Sequence, residues 1–161
     1  MKKIIILGPG ASGKTTLAKK LSQILNIPHL ELDKYFWQPG LIPTPINQWK
    51  KIQKKLIVDK TWIIDGDLGK YDALEVRLKA ADTIIILDFP LLCCLSRAIK
   101  RDKERFDFWW WLITWRFTSR PKIMRLIKTH SPQARILIFK HTKELDKFIL
   151  SLHPQAFRKS E

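Results

Sequence analysis

No run of about 18 uncharged apolar residues occurs anywhere in this 161-residue chain, so no membrane-spanning helix is expected. Cysteine is nearly missing. Cys93 and Cys94 are neighbours within a helical pattern, and adjacent cysteines rarely pair. That excludes a disulfide framework and fits a reducing cytoplasm. Internal repeats, low-complexity segments and linkers are absent as well, which at 19.0 kDa leaves one domain over residues 1–161. Met1-Lys2-Lys3 before an apolar run mimics a secretory signal, but loop residues interrupt the run and no small-residue cleavage site follows. Acidic residues are scarce too, 15 against 30 basic ones, giving a net charge of +15. Nucleotides, nucleic acid or an anionic membrane face are the natural partners of such a charge. Lysines solvated on helix faces produce the same total, so charge alone does not choose among them.

What the chain does have begins at residue 4. The apolar run Ile4 to Leu7 ends at Gly8, a loop follows, and Gly13-Lys14-Thr15 opens a helical pattern. Glycine, four residues, then Gly-Lys-Thr is the phosphate-binding P-loop spacing. Glycines let backbone N–H groups turn inward, and these with the helix N-terminus make an anion site. Residues Gly8, Pro9, Gly10, Ala11, Ser12, Gly13, Lys14, Thr15 and Thr16 are therefore the candidate nucleotide-binding set. Lys14 would reach the β- and γ-phosphates, and the Thr15 hydroxyl would bind Mg²⁺.

Further apolar runs alternate with helical periodicity. His29 to Leu32, Trp62 to Ile64, Thr83 to Leu87 and Arg135 to Phe139 read as strands. Helices are expected over residues 15–25, around Trp49 to Leu56, over 71–80, from Leu91 to about Arg105, over 108–118 and 122–128 with a break before Pro121, and around Leu145 to Leu152. Strands alternating with helices predict an α/β fold, a parallel sheet with both faces covered and right-handed crossovers. Ligands then sit beyond the carboxyl ends of the strands. That rule selects the loop at Gly8 to Thr15, Asp33, Asp65 to Asp67, Asp88, and Lys140 to Thr142.

An apolar run ending in aspartate is the Walker B pattern, whose carboxylate holds Mg²⁺ directly or through water. Asp65 and Asp88 both match it, and helix capping or a turn explains either one as well. Asp65 is favoured because Gly66 lets the backbone approach a ligand. Asp33 opens an aromatic loop and would contact an acceptor hydroxyl or Mg²⁺, unless it is a turn residue beside core aromatics. Arg97, Arg101 and Arg105 recur every four residues on one helical face, and Arg116 and Arg120 continue the pattern after a gap. Guanidinium forks suit phosphate oxygens and the charge that develops in phosphoryl transfer. A solvated basic face is the alternative. In the aromatic segment Phe108-Trp109-Trp110-Trp111 with Trp115 and Phe117, the face of Phe108, Trp111 and Trp115 is expected to pack inward. Trp109 and Trp110 are left to pack in the core, cover a nucleotide, stack on bases or enter a membrane interface.

Together these pieces resemble the small adenylate-kinase-like P-loop proteins of the DNA topology modulation group. The matching residues are Gly-Pro-Gly-Ala-Ser-Gly-Lys-Thr, Leu32-Asp33 with Phe36-Trp37, Pro39-Gly40, Trp49, Trp62-Ile63-Ile64-Asp65-Gly66, and Arg77-Leu78 with Ala81-Asp82-Thr83-Ile84. Leu87-Asp88 with Pro90, Arg97 to Arg101, and Arg120-Pro121-Lys122-Ile123 complete a likeness over about residues 1–152. The resemblance implies a three-layer α/β/α P-loop sandwich like that of nucleoside monophosphate kinases, with strand order 2-3-1-4-5. It implies ATP on Gly8 to Thr15 and an acceptor side near Asp33 and Asp65 to Asp67; the candidate acceptor residues are Asp33, Asp67 and Arg77, and the candidate Mg²⁺ residues are Thr15 and Asp65. A short helical lid over about residues 101–121 would carry the closing arginines. Two features depart from the group's pattern. Asp67 stands where an amide is usual, and the region after Arg105 is short and filled with tryptophans. The expectation is an Mg-ATP-dependent kinase using Lys14, Asp65, Arg97, Arg101, Arg116 and Arg120 on a small acceptor, which includes nucleotides. The alternative is a nucleic-acid-binding ATPase, or an ATP-binding regulator, using the basic, tryptophan-rich surface.

Overall fold

The computed structural model describes residues 1–100 and 106–152, with residues 106 and 107 described by backbone only. The chain runs β1 (Lys3–Leu7), α1 (Lys14–Leu25), β2 (His29–Glu31) and α2 (Leu32–Phe36). A small antiparallel ribbon follows, β3 (Trp37–Gln38) and β4 (Ile42–Pro43), then α3 (Ile46–Leu56), β5 (Trp62–Asp65) and α4 (Leu74–Leu78). The second half is β6 (Thr83–Leu87), α5 (Leu91–Ile99), α6 (Phe106–Thr114), α7 (Ser119–His130), β7 (Arg135–Phe139) and α8 (Thr142–Ser151).

The five long-range strands form one parallel sheet in the order β2-β5-β1-β6-β7. With the ribbon set aside, this is the second, third, first, fourth and fifth strand of the chain, the arrangement expected from the sequence. Alternation along β1 builds two cores, because successive strand residues face opposite sides. Ile4 and Ile6 join Ile63 and Ile85 under α1, α5 and α8, against Leu17, Leu21, Ala98 and Ile149. Ile5 and Leu7 join Ile64, Ile84 and Ile86 on the other side, against Phe36, Trp49, Leu78, Ile123 and Ile127. Each fully buried isoleucine contributes about 1.5–3 kcal/mol, so the paired cores fix the register. That register puts Ile6 opposite Asp65, which brings the carboxyl end of β5 beside the loop after β1.

Several expectations need correction. β2 ends at Glu31 and Leu32 begins α2, so Asp33 lies in the first turn of a helix and not at a strand end. The helix expected over 71–80 is a 3₁₀ turn, Gly69–Tyr71, followed by the five-residue α4. Pro121 does not separate two helices. It sits in the first turn of α7, where a missing N–H costs no hydrogen bond, and the break falls between Thr114 and Ser119. The continuation of α5 toward Arg105 lies outside the described residues, as does Arg101.

Candidate active site

The loop between β1 and α1 is shaped by its glycines. Gly8 has φ +151° and packs so close to β6 that a Cβ there would stand 2.7 Å from the Leu87 carbonyl oxygen. Gly13 has φ +94° and caps α1 in a left-handed conformation that a side chain would strain. The Ser12 hydroxyl is buried and has no hydrogen-bond partner. A buried, unpaired hydroxyl is costly unless a ligand completes it, which fits a phosphate cradle. Lys14 Nζ donates to the carbonyls of Gly8 and Pro9 at 2.9 and 2.8 Å. Burial lowers its pKa, and the charges of Asp67, Asp65 and Asp33 oppose that shift. Thr16 points outward and is exposed.

Thr15 Oγ1 donates to Asp65 Oδ2 at 2.7 Å, and the other oxygen of Asp65 lies 2.6 Å from His29 Nε2. Asp65 thus has both oxygens engaged while buried at the sheet edge of the loop. His29 was not singled out in the sequence. No motif marks it, and only the pairing of β2 with β5 brings it to this carboxylate.

Asp88, the other Walker B candidate, receives arginines instead. Arg120 Nε donates to its Oδ2 at 2.9 Å and Arg116 Nη2 to its Oδ1 at 3.2 Å. Arg97 turns toward the loop, with Nη1 donating to the Ser12 carbonyl at 3.2 Å and its guanidinium 5.4 Å from the Phe89 ring centre. Of the expected lid arginines, the structure brings Arg97 to the loop and sends Arg116 and Arg120 to Asp88.

On the acceptor side, Asp67 accepts from the Trp115 indole N–H at 2.7 Å and the Gly69 N–H at 3.0 Å. Burial raises its pKa, and these two donors oppose the rise. Asp33 accepts from Trp37 Nε1 at 3.2 Å, and partial desolvation raises its pKa. Arg77 does not fit its expected role. It has no accessible surface, and its guanidinium grips both oxygens of Asp72 at 2.7 Å, the Gly66 carbonyl at 3.0 Å and Gln53 at 3.0 Å. It braces the Gly66 loop from behind and cannot touch an acceptor.

The tryptophan helix α6 lies across both loops. A Cβ on Gly10 would stand 2.4 Å from the Phe108 ring and 3.2 Å from that of Trp111. The Trp111 ring centre is 6.0 Å from Lys14 Nζ, and its buried indole nitrogen has no partner. Trp115 is buried, as expected for the inward face, while Trp110 is 65% exposed. Sequence reasoning did not foresee that Trp115 closes on Asp67.

No family model matches the chain. Among curated proteins it is 31% identical over 111 residues to the uncharacterized protein YqaC of Bacillus subtilis (strain 168), covering 65% of this chain and 59% of that protein. It is 28% identical over 131 residues to an adenylate kinase of Cyanothece sp. (strain PCC 7425 / ATCC 29141), covering 65% of this chain and 67% of that enzyme. Among solved structures, an unliganded sugar kinase from Janibacter sp. HTCC2649 superposes with a TM-score of 0.59 at 16% identity, covering 94% of each chain. A shikimate kinase from Acinetobacter baumannii in complex with shikimate gives 0.57 at 19% identity, covering 94% of this chain and 92% of that one. The chain has the kinase-like P-loop fold. At these identities the structural likeness is one of fold alone.

Proposed function

We propose that this protein is an ATP-dependent phosphotransferase that moves the γ-phosphoryl group of ATP to an oxygen of a small acceptor, a nucleotide among the candidates. The observation that carries this reading is the 2.7 Å contact of Thr15 with Asp65 beside Lys14, at the mouth of a Gly-x₄-Gly-Lys-Thr loop. A hydroxyl and a carboxylate are hard oxygen donors of the kind Mg²⁺ takes, so Thr15 and Asp65 would hold that ion. When bound it would neutralise charge on the phosphates. The loop amides and the unpartnered Ser12 hydroxyl receive the phosphate chain, and Lys14 exchanges two backbone carbonyls for phosphate oxygens. Arg97 borders the same loop, and Arg101, Arg116 and Arg120 supply the remaining cations of a closed state. Arg116 and Arg120 are held by Asp88 in this structure and would have to leave it to join that state.

In the transfer, the acceptor oxygen bonds to the γ-phosphorus while the bond from that phosphorus to the β,γ-bridging oxygen breaks. The electron pair leaves with ADP, and where the acceptor is a hydroxyl its proton passes to Asp33. Positioning and charge do most of the work in a loose transition state. The names of the relatives and fold neighbours, adenylate kinase, sugar kinase and shikimate kinase, support the class of reaction. The likeness to the topology modulation group belongs to this reading as well, and that label describes a phenotype without assigning chemistry. A product screen with γ-labelled ATP against nucleotides, sugars and small hydroxy acids tests the proposal. Mg²⁺-dependent transfer that disappears in Lys14→Ala supports it, and a folded wild-type protein that binds no Mg-ATP overturns it.

One observation favours a second reading, a nucleic-acid-binding ATPase. Asp65, Asp67, Asp72, Asp82 and Asp88 are spent on internal hydrogen bonds, which leaves the surface basic, and Trp110 and Phe117 stand exposed on it.

A further inference from the structure

Asp65 has a second partner, His29, to which the phosphotransferase reading gives no task. His29 lies in β2, the edge strand of the sheet, opposite Ile63, and Glu31 lies opposite Asp65. Side chains two apart on a strand share a face, so Asp65 points to the side of Ile63, which packs under α1 with Leu17 and Leu21. His29 reaches Asp65 diagonally on that side. Its Nε2 stands 2.6 Å from Asp65 Oδ1, and only 12% of the His29 side chain and 3% of the Asp65 side chain are exposed. A carboxylate accepts and does not donate, so the ring nitrogen carries the hydrogen. The other oxygen of Asp65 accepts from Thr15 at 2.7 Å. One carboxylate is thus pinned on different oxygens by β2 and by α1.

A single donor would leave the carboxylate free to turn, because the last torsion of an aspartate is broad. Lys14 is the neighbour it would turn to, since the charges of Asp65 and Lys14 act on each other. That pairing would take the ammonium from the phosphates and the carboxylate from the metal at once. With Oδ1 held by His29, Lys14 stays on the carbonyls of Gly8 and Pro9. The Thr15 hydroxyl gives its hydrogen to Oδ2 and keeps its oxygen lone pairs for an ion. Partners that hydrogen-bond a metal's ligands orient them, and losing one commonly weakens metal affinity tenfold or more. Resting on the phosphotransferase reading, with Asp65 as its Mg²⁺ carboxylate, we infer that His29 is a positioning residue of the reaction. Its Nε2–H fixes the Asp65 carboxylate beside Thr15 and away from Lys14. In this role it touches neither nucleotide nor acceptor and gives up no proton.

Three substitutions in the full chain test this. His29→Leu removes the donor, His29→Asn keeps an amide too short to reach Asp65, and His29→Gln returns an N–H near the place of Nε2. Mn²⁺ replaces Mg²⁺ as the probe, and its binding to the chain with a non-hydrolysable ATP analogue is followed by electron paramagnetic resonance. Calorimetry with the same analogue in a chelator gives the metal-free affinity, and denaturant melts report folding. His29→Leu and His29→Asn are each expected to weaken Mn²⁺ binding roughly tenfold and to leave metal-free affinity at the wild-type value. In turnover, the Mg²⁺ concentration for half-maximal rate should rise by the same factor, with KM for ATP unchanged at saturating Mg²⁺. His29→Gln should recover most of both losses. A histidine that only supports the fold gives a different pattern, in which stability falls and the folded fraction binds Mn²⁺ as the wild type does. That pattern, an equal loss of metal-free affinity, or a His29→Gln chain no better than His29→Asn overturns the inference. If His29→Leu does not fold, the Asn and Gln pair decides, and a chain that folds with neither shows a structural histidine and overturns it as well. Asp65→Asn that binds Mn²⁺ as tightly as the wild type removes the assignment of Asp65 beneath the inference. A wild-type chain that binds no Mg-ATP in calorimetry removes the phosphotransferase reading itself.

Discussion

Lys14, Asp65, Asp88 and Arg77 each do a different job, and single substitutions separate them. Lys14→Ala removes the one ammonium at the loop without touching either core. It is expected to keep the wild-type circular dichroism spectrum and to lose tight Mg-ATP binding in calorimetry. Asp65→Asn keeps size and loses charge beside Thr15, so Mg²⁺-dependent turnover should fall by more than ATP affinity does. Asp88→Asn is the control. It strips charge from a carboxylate that holds Arg116 and Arg120, so its first effect is on stability, about 1–3 kcal/mol by denaturant melt. If Asp88→Asn silences turnover and Asp65→Asn is harmless, the assignment of the Mg²⁺ carboxylate is reversed. Arg77→Met leaves Asp72 buried without its partner and is expected to cost about 3–5 kcal/mol. Such residues were unequally legible. The Gly8 to Thr15 loop is a contiguous pattern, so sequence alone placed it between a strand and a helix, where β1 and α1 flank it. The contacts of His29 with Asp65, and of Trp115 with Asp67, join residues 36 and 48 positions apart. Those pairings are set by strand register and helix placement, which no local spacing encodes.

At the scale of elements, the strands were plain in the sequence because a doubly covered parallel sheet demands continuous apolar runs. Short helices were less so. The periodicity over 71–80 suggested one helix, but Arg77 is drawn inward to Asp72 and Gly66, and the backbone breaks into a 3₁₀ turn and α4 to allow it. The inward face of α6 was also readable, whereas its seat on Gly10, Gly69 and Asp67 was not. That seat makes α6 a reporter. A nucleotide entering the loop must meet Phe108 and Trp111, which lie against Gly10 and near Lys14. Mg-ATP is therefore expected to shift tryptophan emission, and Trp111→Phe to remove most of that shift with little loss of stability. Trp115→Phe should behave the other way. It leaves a buried oxygen of Asp67 without its indole donor, lowering stability by about 1–3 kcal/mol, while Trp111 still reports the ligand. Equal responses from the two variants would mean that α6 does not border the nucleotide.

For the whole molecule, net charge and fold point to different partners, and salt distinguishes them. The +15 charge was visible in composition, but its placement was not. Acids at Asp65, Asp67, Asp72 and Asp88 are turned inward to hydroxyl, indole and guanidinium groups, while lysines such as Lys51, Lys54, Lys55, Lys122 and Lys128 remain exposed. A surface of that kind attracts any polyanion without being built for one. Binding to a nucleic acid releases several condensed counterions, so its affinity falls by orders of magnitude between about 50 and 200 mM salt. A single nucleotide held by loop amides, Lys14 and the Thr15–Asp65 pair engages a compact, partly buried site that salt screens far less. Titrating tryptophan emission with Mg-ATP and with single-stranded DNA, each at both salt levels, is expected to give an ATP midpoint that moves little and a DNA response that collapses. Exposed Trp110 should carry the DNA response and Trp111 the ATP response, so Trp110→Ala removes only the first. A DNA midpoint that survives the higher salt, together with an ATP response that is absent at both, would shift the assignment to the nucleic-acid-binding ATPase.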